Sequence, residues 1–99
     1  MKSQHLEFSS PFNVVLASAQ AQAAVMTLAA GSSSGGESVH GGEQWLFVLS
    51  GTGEARIAGE RHALSAHSLI VIEAGEPHEI FNTGDAPLET LNFYTPPEF

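Results

Sequence analysis

The sequence contains no cysteine, which excludes disulfides, thiolate nucleophiles, iron–sulfur clusters and cysteine zinc sites; any metal would need histidine, amide or carboxylate ligands. Basic residues are nearly absent. Lys2, Arg56 and Arg61 stand against eleven acidic side chains, for a formal net charge of −8. Such a chain repels a phosphate backbone, so nucleic acid is not an expected partner. Long apolar runs are missing too: Gln20, Gln22 and Thr27 interrupt the longest candidate, short of the roughly 20 residues that cross a bilayer. No membrane partner is expected. Val14 to Ala21 ends like a signal peptide, but His5, Glu7 and Pro11 precede it and the apolar run is too short, so a cytoplasmic location is expected. What is present is 42% hydrophobic and only 14% charged, too apolar for a disordered chain. The 99 residues are enough for one domain, and a single domain over residues 1–99 is the expectation.

Glycine and proline punctuate the chain at short intervals, and no intervening segment holds a helical period for three turns. An all-β fold follows. Alanine and glutamine between Ala17 and Ala30 suit a helix by propensity, yet Gln20 and Gln22 alternate with alanines before Val25-Met26-Thr27-Leu28, which reads as a turn and then a strand. Phe12 to Leu16, Trp45 to Leu49, Glu54 to Ile57, His62 to Leu64, Leu69 to Ile72, His78 to Phe81 and Leu88 to Tyr94 complete about eight strands, the spacing of a sandwich or barrel. Ser50-Gly51-Thr52-Gly53 predicts a hairpin between the strands on either side. Gly31-Ser32-Ser33-Ser34-Gly35-Gly36 predicts a mobile loop.

Two of the five histidines stand out. His40 and His78 each sit at the mouth of an apolar strand, whereas His62 and His67 lie beside turns and read as exposed. Residues of equal parity share one face of a strand, so His40, Gln44, Leu46 and Val48 point one way and Glu43, Trp45 and Phe47 the other. His78, Ile80 and Asn82 form a second row. Where both rows face one interior, His40 and His78 meet and Gln44 supplies an oxygen, a donor set suited to a first-row divalent metal with open positions. A slip or bulge at Gly41-Gly42 would instead turn Glu43 inward. The same residues also suit a buried, hydrogen-bonded polar cluster in a metal-free pocket.

The segment Val39-His40 with Gln44-Trp45-Leu46-Phe47-Val48-Leu49-Ser50-Gly51-Thr52-Gly53 resembles the first motif of the small single-domain cupins. Leu69 to Asn82, with Gly75-Glu76-Pro77-His78, resembles their second motif more closely. The resemblance spans about residues 13–97 and implies a jelly-roll double-stranded β-helix, the cupin barrel. It also implies a metal site. Counting back from Gly51, the family's glutamate falls on Gln44, its second histidine on His40 and its first on Ser38; the second-motif histidine is His78. Two ligands are therefore intact, one is an amide and one a hydroxyl. The resemblance implies a metalloprotein holding a divalent transition metal (iron, manganese, nickel or zinc) on His40, Gln44 and His78, acting on a small molecule as an oxygenase or isomerase, and assembled as a homodimer. The altered ligands support the alternative of a metal-free module that binds or senses a small ligand.

Overall fold

The computed structural model describes residues 1–99. Alternating apolar and polar side chains between glycine turns form β1 (Asn13–Ala17), β2 (Gln22–Leu28), β3 (Glu43–Ser50), β4 (Gly53–Ile57), β5 (Glu60–Leu64), β6 (Leu69–Ile72), β7 (His78–Asn82) and β8 (Leu88–Thr95). The alanine-rich stretch becomes a strand because it pairs along its whole length with β8, from Gln22 opposite Tyr94 to Leu28 opposite Leu88. Tertiary pairing overrides alanine's helix propensity there. No helix is long and apolar enough to cross a membrane.

Two antiparallel sheets result, in the orders β1-β2-β8-β3-β6 and β5-β4-β7, an all-β arrangement resembling a jelly roll. Inward rows alternate as the pleat requires. On β8, Leu88, Thr90, Asn92 and Tyr94 are buried; on β7, His78, Ile80 and Asn82 are. The apolar core is shared between the sheets. Met26, Leu28, Leu46, Val48, Ile72 and Leu88 of the larger one meet Ala55, Leu64 and Ile80 of the smaller. Each large side chain so buried stabilises the fold by about 1.5–3 kcal/mol.

Two expectations are corrected. β3 and β4 do not form a hairpin, because both edges of β3 are already taken, by β6 and by β8. The chain instead crosses from one sheet to the other at Gly51-Thr52, and glycine is required on both sides of the crossing. Gly51 has φ +95°, and a Cβ there would lie 2.6 Å from the Pro87 carbonyl oxygen; one on Gly53 would lie 2.5 Å from that of Phe81. The serine-rich loop is not loose either, since β7 would otherwise end the smaller sheet with an unpaired edge. Ser34 N–H donates to the Ile80 carbonyl at 2.8 Å, Asn82 N–H to that of Ser32 at 2.9 Å, and Ser38 and His78 exchange backbone hydrogen bonds at 2.8 and 2.9 Å. The hydroxyls add to this: Ser34 Oγ accepts from Ile80 N–H at 3.0 Å and Ser33 Oγ donates to the Glu79 carboxylate at 2.7 Å.

Candidate functional site

The inward alternation of β3 puts Gln44, Leu46 and Val48 inside and leaves Glu43 and Trp45 exposed. No slip turns Glu43 inward; its carboxylate accepts a hydrogen bond from Trp45 Nε1 on the outer face. Gln44 is 3% exposed and lies opposite Tyr94 on β8. His78 opens the inward row of β7, and Ser38 pairs with it across the edge. His40, two residues further along from Ser38, reaches the same end of the molecule. The two imidazoles lie 4.8 Å apart between ring centroids, tilted by 53°.

His40, Gln44, His78 and Ser38 line one cavity of about 270 Å³. Its other wall is apolar and aromatic, from Phe12, Met26, Leu28, Ile80, Tyr94 and Phe99. A concave space with an apolar wall and a few convergent polar groups has the form of a small-molecule site.

The hydrogen bonds fix which atoms the polar groups offer. Asn92 Nδ2 donates to Thr90 Oγ1 at 3.0 Å, and the Thr90 hydroxyl donates to the Met26 carbonyl at 2.8 Å. Asn92 Oδ1 is therefore an acceptor, and Gln44 Nε2 donates to it at 2.9 Å. The chain of donors runs one way, which turns Gln44 Oε1 away from it. Thr27 Oγ1 and Gln44 Oε1 are the two buried side-chain atoms with no protein partner, and only Gln44 of these residues lines the cavity. An unpaired buried acceptor costs about 1–3 kcal/mol.

The histidines are oriented in the same sense. His78 Nδ1 donates to the Glu76 carbonyl at 3.0 Å, and His40 Nδ1 to the Glu98 carboxylate at 2.7 Å. Both acceptors lack a proton to give, so each ring carries its hydrogen on Nδ1 and, when neutral, a lone pair on Nε2. Burial is the main influence on His78 and lowers its pKa below the usual histidine value; the Glu76 hydrogen bond opposes this and nearby His40 adds a smaller lowering. Burial likewise pushes the Tyr94 phenol well above its ordinary range, with the Glu98 charge contributing, so it stays protonated.

Two imidazole nitrogens and a buried amide oxygen thus keep uncommitted lone pairs on residues that line one cavity. No group of three or more His, Cys, Asp or Glu side chains is gathered to hold a metal. By donor type the three residues fit a divalent ion, each imidazole anchored through its other nitrogen as metal ligands usually are. They do so as a neutral set, without the charge of a carboxylate.

Residues 24–94 match the family model described as a cupin domain, more than half of the chain. The chain belongs to the cupin superfamily. Among similar solved structures is a protein from Thermotoga maritima described as a predicted oxalate decarboxylase, 28% identical, with a TM-score of 0.78 over 87% of this chain and 79% of that one. A second, from Bacillus halodurans, is 26% identical with a TM-score of 0.78, over 82% of this chain and 66% of the other. An uncharacterized conserved protein with a double-stranded β-helix domain from Klebsiella pneumoniae, 22% identical, reaches a TM-score of 0.85 over 96% and 91% of the two chains, a likeness of fold alone. No curated protein matches the chain. This cupin keeps the family fold around a pocket whose polar base has two histidines.

Residues supporting the site that the sequence reading missed are Asn92, Thr90 and Glu98. Asn92 carried a signal, being polar in the inward row between Leu88 and Tyr94. Glu98 follows Pro96-Pro97, beyond any periodic pattern.

Proposed function

We propose that this cupin is a binding module for a small molecule that presents N–H or O–H donors to Gln44 Oε1 and to the Nε2 atoms of His40 and His78. Its apolar body would rest on Phe12, Met26, Leu28 and Ile80. The carrying observation is the buried Gln44 oxygen without a protein partner in a cavity-lining residue. A ligand donor there relieves the desolvation cost of that atom. A thermal-shift screen of metal-free protein against small hydroxylated and amine compounds tests the reading. A compound that raises the melting temperature of the wild type, but not of the His40→Ala/His78→Ala double variant, supports it. No stabilisation by any of them, or equal stabilisation of the double variant, counts against it.

A second reading is favoured by the two anchored imidazoles. His40, His78 and Gln44 would hold a divalent transition metal, and such an ion, when bound, supplies a Lewis acid for an oxygen-bearing small molecule, the basis of oxygenase or isomerase chemistry. Near-stoichiometric metal in purified protein, lost in the same double variant, supports this reading. Metal-free protein that binds small donors supports the first.

The proposed unit is one cytoplasmic domain over residues 1–99 that assembles as a homodimer. The outward side chains Trp45, Leu69, Val71 and Phe93, on adjacent strands of the larger sheet, support the dimer because they form an exposed apolar face. Light scattering that gives the 10.4 kDa of a single chain rather than twice that mass counts against it.

A further inference from the structure

After Thr95 the chain leaves β8 and turns back, Phe99 joining the wall of the pocket and Glu98 meeting His40. One side chain holds them. Gln22, the first residue of β2 and only 5% exposed, spends its whole amide on their backbone. Its Oε1 accepts from Glu98 N–H at 3.1 Å and from Phe99 N–H at 3.0 Å, and its Nε2 donates to the Phe99 main-chain oxygen at 2.6 Å. The amide acts as an extra peptide group, fixing the two residues as a strand neighbour would. Their side chains then have set directions. Phe99 lies against Phe12, Tyr94 and His40, with centroids 4.8, 5.0 and 5.9 Å away, and forms part of the cavity wall. Glu98 meets His40 Nδ1 at 2.7 Å.

Glu98 does not line the cavity. It approaches His40 from the nitrogen opposite the one that the pocket would use. The pair is partly open to water, with side chains 13% and 31% exposed, and open ion pairs add little to stability. The effect of the contact falls on His40. A carboxylate on Nδ1 keeps the proton there and so keeps Nε2 free, besides fixing the ring's rotation. We propose that Glu98 is a positioning residue for His40, set in place by the Gln22 clamp, and that the segment 98–99 is thereby an integral part of the binding pocket. This deepens the pocket reading above and rests on it only for the statement that a ligand uses Nε2.

The test reads the ring itself. Imidazole nitrogens of the ¹⁵N-labelled protein, without ligand or metal, are recorded at about pH 8, above the usual imidazole range. Wild-type His40 is expected to show a protonated Nδ1 and a bare Nε2. Glu98→Ala is expected to populate the Nε2-protonated form, and Gln22→Ala to do the same although Glu98 is still present. Glu98→Gln, which retains an acceptor oxygen, is expected to keep the wild-type signature. The His78 signal, anchored on a backbone carbonyl, should stay constant throughout and so report an intact fold. Titration with Co²⁺ alone adds a second readout, with roughly ten- to a hundredfold weaker binding in Glu98→Ala. A His40 tautomer unchanged in Glu98→Ala with His78 intact overturns the proposal; a change there but not in Gln22→Ala overturns the clamp's part in it. Because the tautomer readout needs no ligand, a binding screen without hits contradicts the pocket reading alone.

Discussion

The interior has two ends built on the same strands. Along β3 the inward row runs from Gln44 to Leu46 and Val48, and along β7 from His78 to Ile80. The apolar positions belong to the shared core, and the polar ones line the cavity. Both obey the same alternation, so the pleat does not distinguish them; side-chain chemistry does. At the apolar end burial stabilises without regard to direction. At the polar end the amide and imidazole groups direct their donors to protein acceptors, from Gln44 through Asn92 and Thr90 to Met26 and from each histidine to an oxygen. The Gln44 oxygen and the two Nε2 atoms are left uncommitted, beside the Ser38 and Tyr94 hydroxyls that also line the cavity. That asymmetry makes one end a foundation and the other a receptor.

The sharpest way to break the comparison is at its foundation. Leu46→Ala, at a fully buried position, should lower unfolding stability by about 2–5 kcal/mol, read from denaturant midpoints, while leaving ligand affinity of the folded fraction intact. A loss below about 1 kcal/mol would mean the core collapses around the gap. At the receptor end, Asn92→Ala strips Gln44 Nε2 of its acceptor and should cost about 1–3 kcal/mol, and it should also weaken ligand binding because the freed amide can turn its nitrogen to the cavity. Unchanged affinity would show that the donor chain does not orient Gln44.

Gln44→Glu separates stability from ion binding. A carboxylate cannot donate to Asn92 Oδ1, so the metal-free variant should melt lower, yet it should hold a divalent ion more tightly, by roughly tenfold or about 1.4 kcal/mol, in a chelator competition. Equal ion affinity would speak against Gln44 as a ligand. The smallest effect is one of pH. Burial holds the folded pKa of His78 below the ordinary histidine value of 6.5. Above 6.5 both folded and unfolded imidazoles are neutral; below it the unfolded state takes up a proton first, so stability is lost as pH falls toward the folded pKa. Metal-free wild type should therefore melt at progressively lower temperature below that pH, and His78→Gln should flatten the slope. A steeper slope in the variant would contradict the burial of a neutral ring.

Much of this was legible in residue order. Alternation gave the inward faces of β3 and β7, and with them Gln44 and His78, since a strand's parity is a local property; His40 precedes β3, beyond the Gly41-Gly42 bend, and reaches the same cavity from outside the strand. Pairing partners were not legible locally. Ser50 to Gly53 has the composition of a hairpin turn, but sheet membership depends on which edges distant strands occupy, and β6 and β8 had taken those of β3. The serine loop failed for a related reason: its composition describes a free chain, and the edge of β7 that binds it is more than forty residues away in the sequence. Gln22 and Glu98, 76 residues apart, have no sequence pattern linking them, because a single clamp leaves no period to detect.

The central claim is that both imidazoles present an unprotonated Nε2 to the cavity beside the Gln44 oxygen. The ¹⁵N spectrum of the histidine rings in metal-free wild-type protein at about pH 8 tests it most directly. The expected result is a single Nδ1-protonated tautomer for both His40 and His78, with only those Nε2 signals moving when a binding compound is added. A proton on Nε2 of either ring, or Nε2 signals indifferent to a compound that binds, would contradict the account.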